Sequence, residues 1–272
     1  WETPSPDLVP GMEGNPDITI KVIDPLGTQG WLRPNHLNPP FDNPKARQAL
    51  LHMVKQEDYL QAIIGDQKFW RTCPAYFMCD TPLDTDVGAG PLMNQDLETA
   101  SRLLKEGGYN GETLILMDPT DIPVLHGASL VTAQMLRKIG AKVEVQAMDW
   151  STLTSRRAET KSIADGGWNI FHTYSTGADV ASPIANIGVS GGCVEEAWFG
   201  WPCDKMLEDL RDQFSRESDP AKQVEIGIAL QKRAYEVVPY VNYGQWFQPT
   251  AYRTSLKGVL ISPVPFFWNI EK

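Results

Sequence analysis

Between Asp96 and Tyr174 the chain switches repeatedly between a helical period and a strand period, and that alternation is the tightest constraint on its fold. Residues 96–106 place Leu97, Ala100 and Leu104 on one helical face and stop at Gly107-Gly108. A strand is expected at 112–117, a helix at 124–139 ended by Gly140, and a strand at 142–147 with Val143 and Val145 alternating. Asp149 then opens a short helix, and Gly166-Gly167 lead into an apolar strand at 168–174. Helices of this length between strands favour right-handed crossovers, so the expectation is an α/β fold with a mostly parallel sheet flanked by helices.

The flanks are less regular. Up to Asn35 the chain is rich in proline and turn residues around an alternating run at 17–23 and a short apolar pair, Trp31-Leu32. This reads as strand, turn, strand without a core of its own. Asn43 is a good N-cap, Pro44 suits a first turn, and Ala46, Ala49, Leu50 and Met53 recur at helical spacing, with a break near Gln56 before Ile64-Gly65. Residues 66–95 read as a long irregular loop. Two helices are expected at 204–214 and 221–238, then strands at 240–247 and 256–261 and an aromatic tail through Trp268.

Four cysteines fall as two close pairs, Cys73 with Cys79 and Cys193 with Cys203, without the spacing of a zinc site. In an oxidising compartment they form two local disulfides worth on the order of 2–3 kcal/mol each by loop entropy. The alternative is four reduced, buried thiols in a cytosolic protein. Close pairing favours export. The chain starts at Trp1 with neither the basic start nor the apolar run of a signal peptide, as in a mature protein or a piece of one.

At 272 residues and 42% hydrophobic the chain can bury a large core. A net charge of −10 with an isoelectric point near 4.9 argues against a nucleic-acid partner, which needs a basic face. No run approaches the roughly 20 apolar residues of a membrane-spanning helix. Searches for HExxH, glycine-rich phosphate loops and the GxSxG elbow return nothing, and His36, His52, His126 and His172 share no ligand spacing. Neither a catalytic residue, a metal nor a cofactor is expected. Glu195-Glu196 and the Asp84, Asp86 pair read as solvated carboxylates in loops.

What remains is binding chemistry. Nine tryptophans and eight tyrosines supply material for a cleft, although Trp70, Trp198, Trp201 and Trp268 read as core fillers. The strand at 168–174 runs into small polar residues, Ser175 to Pro183, around one carboxylate, Asp179. Open α/β sheets bind ligands beyond the carboxyl ends of such strands, which makes Tyr174, Ser175, Thr176 and Asp179 the candidate site, with Trp150 at the end of the preceding strand.

Taken in order, these segments resemble a known family. Pro39-Pro40-Phe41-Asp42-Asn43-Pro44 through Ala49, the Leu97–Gly108 helix with its Leu103-Leu104-Lys105-Glu106 run, Ile139-Gly140, Asp149-Trp150, the Trp168 strand and residues 231–239 look like the carboxy-terminal part of the family 5 extracellular solute-binding proteins. These are dipeptide- and oligopeptide-type receptors of ABC importers. The resemblance implies the second lobe of a two-lobe, type II periplasmic binding fold. Residues 1–35 would then be hinge and first-lobe remnant, 36–240 the second lobe, and 241–272 a return segment packing on a missing first lobe.

The same resemblance makes Asp179, followed four residues on by Pro183, the partner of a ligand's ammonium. Tyr174 stands near the place of a family tryptophan. Thr173-Tyr174 replaces the family's Gly-Trp, and extra residues including Gly177 precede Asp179; an ungapped alignment puts Thr176 there instead. The Cys193, Cys203 pair resembles a disulfide of dipeptide-type relatives. The implied function is solute capture by hinge closure, with delivery to an ABC permease, by a monomer in the periplasm. An exported hydrolase without an identified nucleophile and a protein-interaction module are the alternatives.

Overall fold

The computed structural model describes Pro4, residues 8–264 and residues 266–272. Helices begin where short polar side chains can accept from orphan N–H groups. Asn43 accepts from the Lys45 amide ahead of α1 (Pro44–Met53), and α2 (Gln56–Ile63) follows after the expected break. Asp96 caps α3 (Leu97–Glu106), Asp149 caps α5 (Trp150–Arg156), Asp204 caps α6 (Lys205–Arg216) and Asp219 caps α7 (Pro220–Val237). The remaining long helix, α4 (Pro123–Lys138), starts on proline instead of a side-chain cap.

Six strands form the main sheet in the order β3 (Trp70–Arg71), β7 (Val241–Trp246), β2 (Thr28–Pro34), β6 (Ile170–Thr176), β4 (Thr113–Pro119), β5 (Lys142–Met148). β4 runs parallel to both β5 and β6, as the helical crossovers dictate. The other three pairings, β2 with β6, β2 with β7 and β3 with β7, are antiparallel. The sheet is therefore mixed, not mostly parallel. β2 precedes the first long helix and β7 follows the last, so no strand–helix–strand crossover fixes their direction.

β2 and β7 also move the expected division of the chain. Cuts at 35/36 and 240/241 would remove two strands from the middle of the sheet, and both strands are buried along almost their whole length. What stands apart is a second ladder, β1 (Ile18–Val22) with β8 (Pro249–Arg253). Residues 256–261 form no strand; a single bridge joins Lys257 to Glu271. Trp268 is not a core filler either. It is 79% exposed and stacks only on Phe266.

Gly30 marks an irregularity in β2. The register with β7 shifts between Gln29 and Trp31, and a Cβ at Gly30 would fall 2.0 Å from the Tyr243 ring. Only glycine lets that ring cross the strand. The irregular stretch at 66–95 is held by side-chain amides, because a buried loop must satisfy its own backbone. Gln56 both donates to the Cys73 carbonyl and accepts from its N–H. Asn242 adds a second donor to that carbonyl, and Gln231 accepts from Tyr76 and donates to Thr85. Both cysteine pairs are joined, Cys73 to Cys79 and Cys193 to Cys203.

Candidate functional site

Side chains alternate along β6, with Ile170, His172 and Tyr174 on one face and Phe171, Thr173 and Ser175 on the other. Beneath Tyr174 the first face is locked by a buried relay. Tyr59 Oη and His172 Nε2 each lie 2.8 Å from Thr132 Oγ1, and Ser129 Oγ, donating to the Leu125 carbonyl, is 3.3 Å from His172 Nδ1. All four residues are fully buried. Burial pushes His172 down to about 3, so it is a neutral structural group.

Above the relay the strand opens to solvent. Tyr174 is 46% exposed and meets the buried Trp246 edge-on at 5.8 Å. Thr176 ends β6 and caps a single helical turn, Gly177–Val180: the Asp179 amide donates to Thr176 Oγ1, and that hydroxyl donates to Asp179 Oδ2 at 2.8 Å. The turn fits because Gly177 lies against the Leu26 backbone and donates to the Gly27 carbonyl. Asp179 is exposed and has no ion-pair partner among the described residues.

β6 outruns its neighbour. It pairs with β2 from Ile170 to Thr176 but with β4 only at Ile170 and Phe171. Among the described residues no strand pairs with Thr173–Thr176 on the β4 side. That leaves an open edge of backbone N–H and C=O groups ending at Asp179.

The structure thus brings Tyr174, Ser175, Thr176 and Asp179 together. Trp150 is set apart, at the carboxyl end of β5 and two strand spacings, about 10 Å, from β6. Its amide donates to Asp121, and its ring packs against Arg157. Arg157 is a residue the sequence reading missed. Its guanidinium lies 4.8 Å from the Phe199 ring, 5.0 Å from Trp198, 5.3 Å from Trp150 and 5.8 Å from Phe171. Burial lowers its pKa, its Nε–H is buried without an acceptor, and among the described residues no carboxylate pairs with it. The available signal was its position two helical turns after Trp150, on the same stripe of α5. Nothing local announces Trp198 or Phe199, which the Cys193–Cys203 loop brings in.

No group of three metal-ligating side chains occurs among the described residues. One carboxylate–imidazole pair does: Asp118 Oδ2, buried at the end of β4, lies 2.8 Å from Nδ1 of the part-exposed His126. The Asp118–His126 pair has no neighbouring nucleophile with which it is hydrogen-bonded.

Residues 1–193 match the profile of bacterial extracellular solute-binding proteins, family 5, middle region. A probable peptide ABC transporter periplasmic-binding protein, y4tO of Sinorhizobium fredii, is 34% identical over 270 residues, 99% of this chain and 51% of that protein. The glutathione-binding protein GsiB of Escherichia coli K12 is 24% identical over 93% of this chain and 49% of its own length. Among solved structures, the ABC transporter substrate-binding protein CtaP of Listeria monocytogenes superposes with a TM-score of 0.81 at 18% identity, over 94% of this chain and 51% of that one. The dipeptide-binding protein of Pseudoalteromonas sp. SM9913, solved with Met-Leu, gives 0.80 at 19% over 100% and 53%. These structural matches show the type II periplasmic binding fold. The chain spans about half the length of the curated relatives it matches. A profile covering most of its length, together with a relative aligned from end to end of it, places this chain in the family 5 bacterial extracellular solute-binding proteins.

Proposed function

We propose that this chain supplies one wall of the ligand cleft in the substrate-binding component of an ABC importer. The solute is peptide-like or another amine-bearing molecule, captured without covalent chemistry. The observation that carries this reading is the open edge of β6 at Thr173–Thr176, ending in the exposed carboxylate of Asp179. An extended backbone can add to such an edge as a strand, with main-chain hydrogen bonds for affinity and Asp179 for the ammonium. Tyr174 would flank it, with Ser175 and Thr176 contributing backbone and hydroxyls.

The relatives named for binding peptides and glutathione are about twice this length, which supports a second lobe closing over the edge from the other side. On that reading β1, β8 and the exposed tail around Phe267 and Trp268 face the second lobe, and the closed form is what a permease recognises from the periplasm.

The test is calorimetry on the protein carrying both lobes. Short peptides should bind stoichiometrically without turnover, and Asp179→Ala should weaken them by about tenfold or more, the scale of a lost charged hydrogen bond. Unchanged affinity in Asp179→Ala would remove the amine anchor. Hydrolysis of the peptide would turn the reading toward an exported hydrolase.

A further inference from the structure

Arg157 is surrounded by rings but not paired. Four aromatic side chains, Trp150, Phe171, Trp198 and Phe199, lie around its guanidinium within 5.8 Å. Rings of this kind hold a cation without neutralising it, because their faces offer partial negative charge and no proton acceptor. Two donors in this cluster lack acceptors: Arg157 Nε–H, and the indole N–H of the fully buried Trp168, whose ring meets Phe171 at 5.0 Å. A desolvated cation with unused donors, close to the end of a parallel strand pair, is suited to an anionic group.

We infer that the Arg157 box is a second anchor of the proposed cleft and takes an acidic group of the solute. The inference rests on the reading of Asp179 as the amine anchor, and it adds a size. Arg157 lies over Phe171, while Asp179 is hydrogen-bonded to Thr176, five positions further along β6. At about 3.3 Å per residue the two anchors are about 16 Å apart. A dipeptide spans only about 7 Å, so a single extended chain satisfies both anchors when it is about four or five residues long. The solute class is therefore an extended peptide-like zwitterion longer than a dipeptide.

The two anchors can be read separately by calorimetry on the protein carrying both lobes, using tri-, tetra- and penta-alanine, each as free acid and as amide. The tetra- or pentapeptide acid should bind about tenfold or more tighter than its own amide, while the tripeptide shows little preference. Arg157→Gln should bring that ratio to within about twofold, and Arg157→Lys, which keeps the charge but not the fork, should retain part of it. Equal affinity of acid and amide at every length, or a preference that survives Arg157→Gln, overturns the assignment and leaves Asp179 untouched, because the amides still carry the amine. If none of these peptides binds, the underlying reading fails and this one with it. The acid-against-amide comparison in the unaltered protein needs no variant, so a misfolded substitution leaves the test decisive.

Discussion

Arg33 and Arg157 share one aromatic neighbour: their guanidinium groups lie 5.3 Å and 5.0 Å from the ring of Trp198. Beyond that contact the two regions are opposites. Arg33 is fully buried, and its donors reach four backbone carbonyls, Gly188 at 2.5 Å, Phe199 at 2.6 Å, Pro239 at 2.9 Å and Trp198 at 3.1 Å. Burial pushes its pKa down to about 9, yet four carbonyl acceptors favour the cation and keep it charged at neutral pH. Arg157 has rings and no acceptor for its buried Nε–H. The same residue type is a rivet where its hydrogen bonds are spent inside the fold and a reactive surface where they are not. Burial alone does not distinguish the two; the census of partners does.

The comparison breaks most sharply on mutation. Arg33→Met should cost about 3–5 kcal/mol in urea unfolding, because it strands four buried acceptors, whereas Arg157→Met should cost about 1 kcal/mol or less. Equal losses would erase the distinction. Opening the Cys193–Cys203 bridge with paired serines should cost about 2–3 kcal/mol. It should also disturb tryptophan fluorescence, since Trp198 rides on that loop, and an unaltered spectrum would mean that the bridge does not hold the box in shape.

Acid probes the locked side next. His172 titrates at about 3 in the fold against 6.5 when free. Between those values the unfolded chain binds the extra proton. Stability is therefore complete above pH 6.5 and declines as pH falls toward 3, at up to about 1.4 kcal/mol per unit. His172→Asn should flatten the urea-midpoint profile between pH 6.5 and 4 relative to the parent protein, and an unchanged slope would relocate the acid sensitivity, His36 being the next group held neutral by burial. The smallest effect belongs to the exposed tail: Trp268→Ser should shift the unfolding midpoint of this chain by no more than about 0.5 kcal/mol.

Local signals in the sequence reached the local features. Asn43, Asp96 and Asp149 cap the helices they were read to cap, and the alternation from Asp96 to Tyr174 gave the β4–α4–β5–α5–β6 half of the sheet with only small boundary shifts. Tyr174 and Asp179 were legible because a strand end and a polar turn are local. β2 and β7 were placed outside the lobe because their partners are far away in sequence, and periodicity carries no information about partners. Arg33 and Arg157 were invisible for the same reason. What distinguishes them is contact with Gly188, Pro239, Trp198 and Phe199, none of which is near either residue in the chain.

The position of β2 sets the order in which the molecule can assemble. Thr28 lies opposite Thr176 on one side and Trp246 on the other, and Ile18 lies opposite Arg253. A chain synthesised from its amino end therefore makes its central strand early and both neighbours of that strand late, β7 nearly last. Such long-range closure folds slowly, because the entropy of a very large loop is lost before most contacts repay it. Until Trp246 emerges, Trp31 and Leu32 have only half a sheet to lie in, and the nascent chain stays extended, sticky and open to chaperones for most of its synthesis.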